Sequence, residues 1–166
     1  METHRADCTH SAYCYRKCYR SNKLHWKDDR MRKIDLIIVH CSAVRPDQTS
    51  SAAQIDAWHK KLGWRCIGYH YVVRRDGTVE KGRDEASVGA HCSGWNKHSI
   101  GVCYEGGLNT NGSPADTRTD AQKASLLRLL KELKLRYPSA KIRGHRDFAN
   151  KACPCFDATK EYKDPL

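Results

Sequence analysis

The sequence predicts an α/β domain, a mixed central β-sheet flanked by helices, and three features carry that expectation. The apolar run Ile34-Asp35-Leu36-Ile37-Ile38-Val39 reads as a buried strand. Asp76-Gly77, set between two β-rich stretches, is a strong hairpin signal. Thr119 with Gln122 forms a capping box directly ahead of a leucine-rich stretch of helical spacing. Strand-like and helical periods alternate in this way from Met31 onward, with no internal repeat, which favours one sheet covered by helices in a single domain.

Each element follows from local chemistry. The first strand ends on His40, and a polar loop leads to Thr49-Ser50-Ser51, a cluster of helix N-cap residues. Ile55, Trp58 and Leu62 then recur at helical spacing, and Gly63 is suited to stop the helix. Tyr69 to Arg74 is β-rich and turns through Asp76-Gly77 into a strand from Thr78 to Lys81. Ser99 to Tyr104 is the next strand, followed by Gly106-Gly107 and a polar loop. The long helix opened by Thr119 presents Leu126, Leu127, Leu129, Leu130 and Leu133 and ends before Pro138. Lys141 to Arg143 is a short strand leading to His145, and Phe156 to Lys163 forms a last short helix.

The first thirty residues differ in kind. They hold His4, Cys8, His10, Cys14, Cys18 and His25 among basic residues and tyrosines, with almost no aliphatic residue except Leu24. Such a composition cannot supply a packed core, so residues 1–30 read as a disordered extension and residues 31–166 as the domain. Met31, directly ahead of the first strand, offers an alternative start that leaves the domain whole. The spacing of His4, Cys8, Cys14 and Cys18 matches no common zinc-finger pattern.

At 166 residues the chain is long enough for one sizeable core. Its nine cysteines are an odd number, and no signal peptide is recognisable, so reduced thiols are expected. Cys41, Cys66, Cys92 and Cys103 lie in or beside apolar segments and should be small buried hydrophobes. No apolar run reaches the roughly 20 residues of a membrane span. The net charge of +11 favours anionic partners such as a wall polymer, anionic lipid or nucleic acid. Nucleic acid is disfavoured, because the aromatic residues fall in strand and helix patterns rather than in a basic stacking groove.

The segment Gly144-His145-Arg146-Asp147-Phe148-Ala149-Asn150-Lys151-Ala152-Cys153-Pro154 is the most informative of the chain. It places an imidazole and a thiol eight residues apart, with a lysine two residues before the thiol. Zinc favours N and S ligands, and a catalytic zinc takes three and keeps a position for water. His40, at the tip of an apolar strand, is the natural third ligand. Cys155 competes with Cys153 as the thiol. Alternate residues of an extended segment face opposite ways, and Pro154 enforces a non-helical path, so only one thiol should reach the metal. His70 should point away from Tyr69 and is read as structural. Trp95 could stack on a sugar or anchor its loop.

From about Lys33 to Asp157 the chain resembles the zinc-dependent N-acetylmuramoyl-L-alanine amidases of the phage-lysozyme type, which share their fold with peptidoglycan recognition proteins. The likeness is carried by LIIVHCSA (36–43), GYHYVVRRDGTVEKGRDE (68–85), VGAHCSGWNKHSIGVCYEGG (88–107) and GHRDFANKACPCFD (144–157), four blocks in the family's order. The resemblance implies cleavage of the amide between the lactyl group of N-acetylmuramic acid and the L-alanine of the stem peptide. It places the zinc ligands at His40, His145 and Cys153, and so selects Cys153 over Cys155. It makes Tyr69 and Lys151 catalytic, without deciding which is the acid-base group, and sets His91 and Asn96 in the muropeptide groove. A monomeric phage or prophage endolysin is expected, held in the cytoplasm until it is released to the wall. The rival readings are a cytoplasmic amidase recycling muropeptides, and a peptidoglycan-binding module with little catalysis. Retention of Lys151 and Cys153 argues against the last.

Overall fold

The computed structural model describes residues 32–163. Residues 1–30, expected to be a disordered extension, lie outside the described residues. Five strands form one sheet: β1 (Leu36–Cys41), β2 (Tyr71–Val73), β3 (Val79–Lys81), β4 (Ser99–Tyr104) and β5 (Lys141–Gly144), in the order β3-β2-β4-β1-β5. β1 pairs in parallel with β4 and β5, β2 pairs in parallel with β4, and β3 returns antiparallel on β2. The sheet is therefore mixed, as its sequence predicts. Gly77 sits at the hairpin with φ +86, a conformation that side chains rarely adopt.

Period-two alternation sorts β1 between two environments. Ile37, Val39 and Cys41 face a core shared with the long helix α2 (Asp120–Arg136), whose Leu126, Leu129, Leu130 and Leu133 are buried. Each of those leucines contributes about 1.5–3 kcal/mol by leaving water. Leu127 falls off that stripe and is 39% exposed. Thr119 caps α2 through the expected box with Gln122. The other face of β1 carries Leu36, Ile38 and His40, and here the cover is thin: a small cluster with Cys92 and Phe148, and another formed by Ile55, Ile67, Val72 and Cys103. That thinly covered face is where functional groups can reach solvent.

The helix α1 (Ala52–Lys61) begins within the expected N-cap cluster, at Ser51, which forms a capping box with Gln54, and Gly63 follows its end at φ +83. Its apolar stripe, however, is not buried as the spacing predicts. Only Ile55 is buried, while Trp58 is 40% and Leu62 70% exposed. The cause lies in how the helix is held. Its second half is tied to the following loop by polar contacts, with the Ile67 N–H donating to Asp56 Oδ1 at 2.7 Å and the Gly68 N–H to His59 Nδ1 at 3.0 Å. A short helix α3 (Ala158–Glu161) closes the described chain. No helix among the described residues is long and apolar enough to cross a membrane.

Candidate metal centre and active site

His40 is the last residue but one of β1, and alternation directs its ring to the thinly covered face. Its parallel neighbour β5 ends at Gly144, so His145 follows at the adjacent strand's carboxyl end. Gly144 is packed by Pro154, whose Cδ lies 3.0 Å from where a Cβ would stand. This contact brings the segment after β5 back towards the sheet. There the Arg146 N–H donates to the Cys153 carbonyl at 2.7 Å. The outcome is a cluster: one donor atom each from His40, His145 and Cys153, all within 4.8 Å of one another.

The donor set fits zinc. Metal–ligand bonds of about 2.0–2.3 Å in a tetrahedron set the N to S separation near 3.5 Å, and His40 Nδ1 lies 3.9 Å from Cys153 Sγ. Burial favours the neutral form of both imidazoles, the form that offers a lone pair. Burial lowers the His40 pKa well below the usual imidazole value, reinforced by His91, His145 and Lys151. Burial and then Lys151 lower that of His145. The Cys41 N–H donates to Cys153 Sγ at 3.2 Å, which orients the sulfur.

The thiol beside the cluster behaves differently. The Cys155 N–H donates to the Ala152 carbonyl at 2.6 Å, and Cys155 takes a left-handed φ of +70. A turn, not the extended path expected from the sequence, therefore separates the two sulfurs. Cys155 Sγ lies 3.8 Å from Cys41 Sγ and 3.2 Å from the Gly107 carbonyl, and burial first of all pushes its pKa up to about 12. Cys41, Cys92 and Cys103 are buried as expected; Cys66, near the exposed end of α1, is only half-buried.

A cavity of about 360 Å³ opens beside the cluster, lined among others by Trp64, His91, Asn96, His145, Phe148 and Lys151. Lys151 is exposed at its rim. The Tyr69 ring sits 5.2 Å from that of His40, half-buried against Ile55, Ile67, Val72 and Cys103. Burial above all, then the thiols of Cys103, Cys153 and Cys41, raise the Tyr69 pKa well above the ordinary phenol value, so it is a donor at neutral pH.

His91 and Asn96, expected in a substrate groove, do line this cavity, but their polar atoms are largely engaged within the protein. His91 is 8% exposed, with Nδ1 3.0 Å from His40 Nε2. Asn96 Oδ1 accepts from the N–H groups of His91 and Cys92 at 2.8 and 2.9 Å, which fixes the loop. His70 is buried, accepts from the Gly101 N–H at Nδ1, and holds the chain rather than a ligand. Trp95 packs on Phe148 with ring centres 4.7 Å apart, leaving 40% of its surface exposed. Trp64 and Phe148 are cavity residues that the sequence reading passed over. Phe148 lies between His145 and Lys151 in the richest motif, which was a usable signal; Trp64, after a helix stop, carried none.

A mixed sheet thus gathers two imidazoles and a thiol at and beyond the carboxyl ends of adjacent parallel strands, a donor set suited to a metal ion. The chain belongs to the N-acetylmuramoyl-L-alanine amidase family, whose model matches residues 30–156, and within it to the phage endolysins. It is 49% identical to the endolysin of Escherichia phage T7 over 123 residues, spanning 74% of this chain and 82% of that protein. The endolysin of Klebsiella phage KP32 is 48% identical over 73% of this chain and 80% of its own length. Among solved structures, the N-acetylmuramoyl-L-alanine amidase LysC from Clostridium intestinale superposes with a TM-score of 0.67 at 31% identity, covering 80% of this chain and 83% of that one.

Proposed function

We propose that this amidase holds one zinc ion through His40, His145 and Cys153 and hydrolyses the lactyl–L-alanine amide of peptidoglycan, with Lys151 and Tyr69 as its catalytic side chains. The observation that carries the proposal is the convergence of the three donor atoms beside a cavity rimmed by Lys151. Zinc bound there would supply a Lewis acid for the scissile carbonyl and a lowered pKa for the attacking water. The protein's own groups do the rest. The Lys151 cation stands where negative charge develops on the carbonyl oxygen and stabilises it. Tyr69, protonated at neutral pH, donates a hydrogen bond beside His40 and orients the reacting groups. Trp64 and Phe148 give the cavity apolar walls against which a sugar or peptide can pack.

Incubating the purified protein with intact sacculi should release free stem-peptide amines, and a chelator should abolish the release until zinc is restored. Cleavage of small soluble muropeptides with intact sacculi left untouched would instead favour the recycling reading. Binding without turnover would remove the enzymatic one. In this proposal the enzyme acts as a monomer, accumulates in the cytoplasm and reaches the wall on release, with its net charge of +11 aiding retention on an anionic polymer.

The domain assignment gives a further expected result. Every strand, helix and proposed ligand described lies within residues 32–163. A chain beginning at Met31 should match the full chain in melting temperature, zinc content and sacculus cleavage. Aggregation or loss of zinc on truncation would assign residues 1–30 to the fold.

A further inference from the structure

A hydrogen-bonded chain runs from the proposed metal cluster into the protein, and its direction is fixed from both ends. Its outer end is a carbonyl: the buried Ser99 hydroxyl, at the first residue of β4, donates to the Trp95 carbonyl at 2.8 Å. A carbonyl can only accept, so the Ser99 proton is committed to it and Ser99 Oγ is left to accept. The group facing that oxygen is His91 Nε2 at 3.3 Å, which must therefore carry the ring proton. His91 Nδ1 is then the lone-pair nitrogen, and it stands 3.0 Å from His40 Nε2. His40 must in turn be protonated at Nε2, leaving the lone pair on Nδ1. That is the nitrogen facing Cys153 Sγ, at 3.9 Å. The metal end makes the same demand independently, because a ligating nitrogen cannot carry a proton.

We infer that His91 is a positioning residue: anchored through the Ser99 hydroxyl to the Trp95 carbonyl, it holds the His40 ring as the Nε2–H tautomer and aims Nδ1 at the metal. The inference rests on the zinc reading proposed above. Its carboxylate counterpart is familiar, since metal-bound imidazoles usually donate their second N–H to an acceptor that fixes tautomer and orientation. Here the acceptor is a neutral imidazole, so its own tautomer must be set, and Ser99 sets it.

The surrounding backbone is shaped to this ring. A Cβ at Gly101 would stand 2.5 Å from His91 Cγ and Cδ2, and one at Gly89 2.6 Å from Cδ2. Two glycines thus clear the space the imidazole occupies, and Asn96 Oδ1 clamps the His91 N–H at 2.8 Å. This accounts for why a histidine in a polar loop is 8% exposed rather than displayed to solvent.

The test uses the full-length protein, with two-bond 1H–15N correlation spectra of the zinc-free form and zinc affinity from chelator competition at fixed pH. The zinc-free wild type should show both His40 and His91 as Nε2–H tautomers. His91→Phe, which keeps a ring but offers no acceptor, should weaken zinc binding about 10- to 100-fold. His91→Asn, whose Oδ1 can replace Nδ1 as acceptor, should recover most of that loss; a purely structural role would not distinguish Asn from Phe in this order. Ser99→Ala should leave His91 in mixed tautomers. A wild-type His40 protonated at Nδ1, or a folded His91→Phe protein with unchanged zinc affinity, would overturn the inference alone. A wild type that takes up no zinc would overturn the metal reading and this inference with it.

Discussion

Single replacement of His40, His145 or Cys153 by Ala is expected to remove the zinc and abolish sacculus cleavage together, from about one zinc per chain to none retained through gel filtration. Three protein ligands are the minimum for a catalytic site that keeps an open position, so two leave a weak, exchanging metal. The folds should survive in the milder cases. His145 and Cys153 are only half-buried, and although Cys153 touches the edge of the main core, that core is built chiefly by β1 and the leucines of α2. His40 is 1% exposed, and its loss should also lower the melting temperature. Cys155→Ala is the informative control. Its sulfur meets Cys41 and the Gly107 carbonyl, so zinc and activity should both remain. Full zinc occupancy in Cys153→Ala, with an empty Cys155→Ala protein, would reverse the assignment of the two thiols.

The two thiols also show where sequence reasoning reaches its limit. Elements governed by local chemistry were legible. The span Ser99–Tyr104 is a strand because it is apolar and β-branched, and Asp120–Arg136 is a helix because Thr119 and Gln122 cap it ahead of a leucine stripe. The strand-tip position of His40 was legible for the same reason. What periodicity could not supply was tertiary. The spacing of Ile55, Trp58 and Leu62 predicts a buried stripe, yet two polar tethers, Asp56 to Ile67 and His59 to Gly68, leave its far end in solvent. The path between Cys153 and Cys155 depends on a turn closed by the Ala152 carbonyl, which no residue pattern announced. Likewise a histidine in a polar loop reads as a substrate contact. Its close packing against Gly101 and its bond to His40, 51 residues away, depend on the tertiary fold.

Lys151→Ala is expected to lower kcat on the order of 10²-fold or more while leaving KM and zinc content nearly unchanged. The separation of these effects is the point of the experiment. Lys151 is exposed at the cavity rim and contributes no packed surface, so its removal should not disturb the fold. It is not a metal ligand, so occupancy should hold. The charge it is proposed to stabilise exists fully only in the transition state, and an interaction of that kind appears in kcat rather than in ground-state binding. Tyr69→Phe provides the matched comparison, because it removes one hydroxyl and keeps the ring that packs beside His40. It too should retain zinc and lose turnover, since a phenol held protonated near the cluster contributes through its O–H. Lys151→Arg should recover only part of the rate, because the cation returns with a planar, bulkier geometry. A Lys151→Ala enzyme with raised KM and unchanged kcat would make this lysine a substrate-docking group. Near-normal rates in both Lys151→Ala and Tyr69→Phe would reduce the chemistry to metal and water alone.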